Sequence, residues 1–165
     1  MRKALSLLCG LWLLVACSEK EEVFYSTTYP VTNVEVLVLY DTDSEYADEA
    51  LMQQIEEEVM QAAPVQSGGS YRLDFDRFDG GTLYVKRTAE ASDEVGLFHK
   101  QPASREIKME YADTNYVVTM QRYTSDQGEP MTLFEVDLTD YYFRTTKNLA
   151  LMRVLRNEYT SHIYD

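Results

Sequence analysis

The sequence predicts an α+β domain, in which an antiparallel β-meander sheet carries one long helix on one face and a second helix at the C terminus. Short runs of alternating apolar and polar residues lie between positions 71 and 138, and one stretch of helical periodicity follows residue 42. A small closed β-barrel built from residues 70–140, with helices added, is the alternative architecture.

The first residues predict a secretory signal peptide. Arg2 and Lys3 carry positive charge, and residues 4–15 are almost wholly apolar but shorter than the roughly 20 residues of a membrane-spanning helix. The segment ends in Leu14-Val15-Ala16-Cys17, which resembles the lipobox of bacterial lipoproteins in all four positions. The resemblance implies that residues 1–16 are removed and that Cys17 is the lipid attachment residue. An ordinary signal peptide cleaved nearby is the alternative.

The residues after Cys17 bear on localisation. The residue directly after Cys17 is Ser18 and not an aspartate, which favours the outer membrane over the inner membrane. The short acidic run 18–22 resembles the export signal of surface-exposed lipoproteins. This run slightly favours the cell surface over a periplasm-facing position. We expect residues 17–30 to form an acylated N terminus and tether, and residues 31–165 to form a single α+β domain.

Composition excludes several classes of function. The chain has 15 basic and 28 acidic residues and a net charge of −13, and it becomes more acidic when Arg2 and Lys3 leave with the signal peptide. Such a charge repels nucleic acid and anionic lipid over most of the surface, so no nucleic-acid partner is expected. The two cysteines are Cys9, within the signal peptide, and Cys17. A disulfide framework, a cysteine nucleophile and a thiolate zinc site are therefore excluded from the mature chain.

The first elements of the domain are a strand and a helix. Residues 31–40 are almost continuously apolar, which is typical of a central strand covered on both sides. Thr42 and Glu45 then form a candidate capping box for a helix that runs to about Ala63 and ends before Pro64. The helix places its apolar residues on one face, which we expect to pack on the sheet: Ala47, Leu51, Ile55, Val59 and Ala62.

Six short strands and a second helix complete the predicted domain. Alternating residues and turn sequences predict strands at about 71–76, 83–87, 95–99, 106–111, 116–124 and 131–138. Leu151, Leu155 and Tyr159 lie four residues apart and predict an amphipathic helix over about 146–159, although Thr145 and Thr146 are poor helix formers.

Two aspartate groups could carry chemistry. Asp41 and Asp43 follow a hydrophobic strand and resemble the DxD start of the haloacid-dehalogenase-like phosphatases, but capping of the next helix explains the same residues. Asp74, Asp76 and Asp79 before Gly80 suggest a calcium loop, since calcium prefers several carboxylate ligands. Their spacing does not match that of an EF-hand, and two strand residues with a turn aspartate are the simpler explanation.

The histidines, His99 and His162, lie in no catalytic motif, and there is no nucleophile elbow, phosphate-binding glycine loop or HExxH sequence. We therefore assign no catalytic residue, cofactor or metal. The sequence predicts a lipid-anchored envelope lipoprotein that acts as a non-catalytic binding or accessory module, with an envelope protein or extracellular ligand as partner. A small envelope hydrolase with an unrecognised site is the alternative.

Overall fold

The computed structural model describes residues 25–101, 103–161 and 163–164. In this part of the chain nine strands and two helices follow one another, and every strand pairing is antiparallel. The elements are β1 (Tyr25–Tyr40), α1 (Glu49–Gln61), β2 (Ser70–Arg77), β3 (Gly80–Lys86), β4 (Asp93–Lys100), β5 (Glu106–Tyr111), β6 (Thr114–Thr124), β7 (Pro130–Asp137), α2 (Thr139–Thr146), β8 (Leu151–Ser161) and β9 (Ile163–Tyr164).

Strands β1 to β8 close into a barrel. Strands β2 to β8 pair in chain order, β8 pairs with β1, and β1 pairs with β2. The predicted sheet with a long helix on one face is therefore wrong, and the alternative of a small barrel with helices is the architecture observed. The barrel extends beyond the expected residues 70–140, because β1 and β8 are two of its eight strands. Strands β2 to β7 match the six predicted strands.

The ring closes because the two halves of β1 have different partners. Residues 25–30 pair with β2, whereas the chain from Val31 to Tyr40 pairs with β8. Residues 25–30, which the sequence assigned to the tether, are thus part of the barrel. A bulge between Val31 and Asn33 shifts the register, so that residues on both sides of it face inward. Tyr29, Val31 and Val34 pack in the main barrel core, and Val36 packs in a second apolar cluster beneath α1.

Helix α1 packs against the inner face of β1 and β8, beyond the main barrel core. It buries Met52, Ile55 and Val59 against Val36 and Val154 on the inner side of β1 and β8. The helix begins later than predicted: Asp48, not Thr42, is its N-cap, and the Asp48 carboxylate accepts a hydrogen bond from the Leu51 N–H at 3.1 Å.

The predicted C-terminal helix over 146–159 is also wrong. Its residues lie mostly in strand β8, and α2 occupies Thr139–Thr146 instead. A spacing of four residues does not distinguish the two structures, since residues i and i+4 lie on the same side of both a regular strand and a helix. The β-branched Val154 and Thr160 and the register with β1 and β7 favour the strand.

Candidate functional site

The barrel has two chemically different ends. At one end, which we call the mouth, β1 begins at Tyr25, and the β2–β3, β4–β5 and β6–β7 connections meet around it. At the other, the far end, β1 leads into α1 and β7 leads into α2. The antiparallel register fixes this division, because Gly80 pairs with His99 and Thr124 pairs with Pro130 at the mouth.

Three cationic side chains line a pocket at the mouth. The mouth pocket has a volume of about 300 Å³ and is lined by Tyr29, Lys100, Ser104, Arg105, Met120 and Arg122. Its size matches the lower range of small-molecule sites, which occur in the mouths of β-barrels among other places.

The period of two along the strands brings these cations together. Phe98, Ile107 and Val118 are buried in the barrel core on three neighbouring strands. Lys100 lies two residues beyond Phe98, Arg105 lies two residues before Ile107, and Arg122 lies four residues beyond Val118. Even spacing along β4 and β6 keeps Lys100 and Arg122 on the inner side of their strands, and Arg105 directly precedes β5. The apolar interior therefore ends in a basic rim.

The remaining residues form the wall of the mouth pocket. The Tyr29 ring packs on Phe134 with centroids 5.0 Å apart, which fixes Tyr29 to the barrel core. Arg105 is held to β6 by its carbonyl, which accepts a hydrogen bond from the Met120 N–H at 2.8 Å. The pocket therefore combines three cations with an apolar and aromatic wall.

The charges of the mouth pocket are not neutralised within the described residues. None of the three cations, Lys100, Arg105 and Arg122, has a side-chain nitrogen within 4.0 Å of a carboxylate of the described residues. Four other arginines do lie within that distance of at least one carboxylate, namely Arg72, Arg77, Arg153 and Arg156. Arg87 and Arg144 do not, but each donates to a backbone carbonyl instead. In a chain of net charge −13, three neighbouring cations without a carboxylate favour an anionic ligand.

A wider cleft beside α2 is a weaker candidate. It has a volume of about 520 Å³ and is lined by Asp137, Thr139, Asp140, Met152 and Arg153. Its cation is already compensated, because Arg153 lies 3.8 Å from Glu135 and 3.9 Å from Asp137. Two aspartates also line this cleft, so it lacks the charge excess of the mouth pocket.

A second polar group lies within the barrel. Arg156 and Glu158 are 3% and 1% exposed, and Arg156 Nε lies 2.9 Å from Glu158 Oε1. The angles of this contact fall outside those of a hydrogen bond, so we describe it as an ion pair. The Arg156 guanidinium also lies over the Tyr116 ring, with 5.6 Å between Cζ and the centroid.

Burial dominates the ionisation of this interior group. It raises the pKa of Glu158, and the positive charge of Arg156 and contact with the Tyr71 hydroxyl only partly offset this. Burial, together with the charge of Glu158, raises the pKa of Tyr71 well above its ordinary value. The adjoining cavity, lined by Tyr71, Tyr116 and Arg156 among others, has a volume of about 10 Å³. It has room for about one water molecule, so this group supports the interior more readily than it binds a ligand.

The structure separates the residues singled out in the sequence. Asp41 and Asp43 lie in the exposed turn between β1 and α1, where the Asp43 N–H donates to the Asp41 carboxylate at 3.0 Å. His99 is exposed on β4 and does not line the mouth pocket. Cys17 and His162 lie outside the described residues.

The three aspartates of the candidate calcium loop are paired with other groups. Asp74 accepts a short hydrogen bond from the Ser26 hydroxyl and lies 3.2 Å from Arg72 Nε. Asp76 and Asp79 lie 3.7 and 3.8 Å from Arg77 Nε. These contacts favour the simpler explanation, because arginine already occupies the surroundings that a calcium ion would need.

Within the described ranges, no group of three or more histidine, cysteine, aspartate or glutamate side chains could hold a metal ion. Neither α1 nor α2, the helices of those ranges, is long and apolar enough to cross a membrane. Comparison of the chain with family models, curated proteins and solved structures finds no match.

Proposed function

We propose that this protein is a lipid-anchored envelope lipoprotein that binds small organic anions in the mouth of its barrel without transforming them. The observation that carries the proposal is the mouth pocket, where Lys100, Arg105 and Arg122 converge without a carboxylate partner among the described residues. Guanidinium groups bind carboxylates and phosphates through paired, charge-assisted hydrogen bonds.

The wall of the pocket defines the rest of the ligand. Tyr29 and Met120 offer an aromatic and a polarizable apolar surface beside the cations. A ligand that places an oxyanion on the rim and a short apolar group against this wall satisfies both kinds of surface. A volume of about 300 Å³ limits it to a small molecule or to the end group of a larger one.

Isothermal titration calorimetry tests this proposal with benzoate and phenyl phosphate as probes and benzyl alcohol as the uncharged control. We expect both anions to bind more tightly than the alcohol. Arg105→Gln combined with Arg122→Gln should weaken anion binding about tenfold or more, because each charge-assisted hydrogen bond contributes about 1.5–3 kcal/mol.

Lys108→Gln is the matched control, since Lys108 is exposed on β5 and does not line the pocket. It should leave anion affinity unchanged. Equal affinity of the parent and the Arg105→Gln, Arg122→Gln variant for phenyl phosphate would refute the proposal, as would equal binding of the alcohol and the anions.

The anchoring part of the proposal rests on the lipobox resemblance and on Cys17. Acylation at Cys17 attaches the chain to the outer membrane, with the cell surface slightly favoured over the periplasmic side. A Cys17→Ser variant should lose lipid labelling and membrane fractionation. If that variant fractionates with membranes like the parent, acylation does not anchor the chain. Protease treatment of intact cells, with a periplasmic protein as leakage control, determines which side the domain faces.

A further inference from the structure

We infer that the barrel docks mouth-first on the membrane that holds its N terminus, with Lys100, Arg105 and Arg122 against phosphate-bearing lipid headgroups. This inference rests on the proposed function, because it uses the same pocket and the same anchor. It commits the anion to one source, the headgroup phosphate of a bilayer, rather than a free molecule.

The position of the tether is the first support. The barrel begins at Tyr25, and β1 starts at the mouth. Tyr25 lies eight residues after Cys17, so their Cα atoms are at most about 29 Å apart when the segment is fully extended. Strand β1 has 16 residues and is therefore about 50 Å long. An anchor at Cys17 thus keeps the mouth near the bilayer and raises the effective concentration of headgroups at the pocket.

An exposed aromatic residue is the second support. Phe78, at the tip of the β2–β3 turn, is 88% exposed. This turn borders the pocket, since the Lys100 N–H donates to the Asp79 carbonyl at 2.7 Å. A phenylalanine on a hairpin tip beside cationic side chains fits an interface where apolar chains lie just below phosphates.

The distribution of charge is the third support. Residues 41–61, at the far end, contain no lysine or arginine and hold a cluster of acids: Asp41, Asp43, Glu45, Asp48, Glu49, Glu56, Glu57 and Glu58. Arg144 and Lys147, in and after α2, also lie at this end, but the eight acids outnumber them. An anionic surface therefore repels this end and attracts the basic rim, which favours the mouth-first orientation. The acids at the mouth among the described residues do not line the pocket: Asp76, Asp79, Glu106, Asp126 and Glu129.

A tryptophan scan tests the orientation. Trp12 is the only tryptophan of the chain and leaves with residues 1–16 on acylation at Cys17, so any tryptophan introduced into the mature chain is unique. The acylated mature chain carrying Phe78→Trp is reconstituted in vesicles that contain brominated phosphatidylcholine, with or without phosphatidylglycerol. Tyr141→Trp is the matched control, because Tyr141 is 58% exposed on α2 at the far end.

We expect the Phe78→Trp emission to shift to shorter wavelength and lose intensity in the vesicles with phosphatidylglycerol, while Tyr141→Trp stays unquenched. Adding Arg105→Gln and Arg122→Gln should restore the Phe78→Trp emission. Equal quenching at positions 78 and 141 overturns the inference. So does quenching of Phe78→Trp that is unchanged when phosphatidylglycerol is left out or when the two arginines are replaced. If phenyl phosphate still binds in solution while Phe78→Trp stays unquenched, the proposed binding function stands and the docking alone is refuted.

Discussion

Arg156 and Glu158 form an ion pair inside the barrel, with 2.9 Å between Nε and Oε1. The two residues are two positions apart on β8 and therefore project to the same side of the strand. Charged residues are almost never fully buried unless they are paired, so each of these two makes the burial of the other tolerable.

The first prediction concerns removal of one partner. Glu158→Leu leaves Arg156 buried without its carboxylate, and we expect the free energy of unfolding to fall by about 3–5 kcal/mol. The double variant Arg156→Met, Glu158→Leu replaces both charges with apolar groups. It should be within about 1 kcal/mol of the parent or more stable, because it also removes the desolvation cost of two ions. Urea unfolding measures all three proteins.

Arg153→Met is the matched control on the same strand. Arg153 is 48% exposed and lies 3.8 Å from Glu135, so this change should cost less than about 1 kcal/mol. Equal losses for Arg153→Met and Glu158→Leu, or a double variant as unstable as Glu158→Leu, would show that the buried pair has no special energetic role.

The second prediction is a pH dependence. The pKa of Glu158 is raised in the folded protein above the ordinary value of 4.5. The folded state therefore binds the proton more tightly than the unfolded state does, and this contribution to stability is present at low pH. It is lost as the pH rises from the ordinary value through the raised pKa.

Glu158→Gln removes this titration, so the parent should lose stability relative to Glu158→Gln as the pH rises through that window. Above the raised pKa the difference should be constant. Urea unfolding of both proteins from pH 4 to pH 8 measures it, and the other carboxylates cancel in the comparison. A difference that does not change with pH would mean that burial leaves the pKa of Glu158 where it is in the unfolded chain.

The sequence predicts strands β2 to β7 because each alternates apolar and polar residues, as in Tyr71, Leu73 and Phe75. Closure of the ring is not contained in that pattern. It depends on β1 changing partners at Val31. Residues 31–40 resemble a strand covered on both sides because Leu37 and Leu39 place apolar side chains on the outer face, where Leu39 is 50% exposed. Pairings across more than a hundred residues leave no trace in local periodicity.

Part of the candidate site could be predicted from the sequence. Once a barrel is assumed, even spacing from Phe98 and Val118 places Lys100 and Arg122 on its inner side, and Arg105 falls in the connection between β4 and β5. The buried ion pair within the barrel could not be predicted in this way. Arg156 and Glu158 alternate with Leu155 and Asn157, and charged residues in such a pattern are normally assigned to the solvent side.

The third prediction separates the observed helix start from the expected one. The Asp48 carboxylate caps α1 through the Leu51 N–H, so Asp48→Ala should lower the free energy of unfolding by about 1 kcal/mol. Thr42→Ala is the control, because Thr42 lies in the turn before the helix and is not its N-cap. Thermal unfolding distinguishes the two. A larger loss for Thr42→Ala would place the helix start at the predicted capping box.

The fourth prediction concerns the barrel wall at Gly81. Gly81 pairs with Phe75 next to the register shift between Phe75 and Arg77, and a Cβ there would overlap the backbone carbonyl of Asp74 and meet the backbone nitrogen of Asp76. Backbone atoms of a closed barrel cannot move aside independently. Gly81→Ala should therefore cost more than about 3 kcal/mol, or prevent folding.

Gly128→Ala is the matched control. Gly128 has a φ of +82°, and a Cβ there meets nothing within 4 Å, so its alanine variant suffers only the strain of the left-handed backbone, about 1–2 kcal/mol. Urea unfolding of both variants, with circular dichroism to confirm strand content, measures the difference. If Gly81→Ala is no less stable than Gly128→Ala, β2 and β3 can separate at Gly81, and the close approach of their backbones is not what requires glycine there.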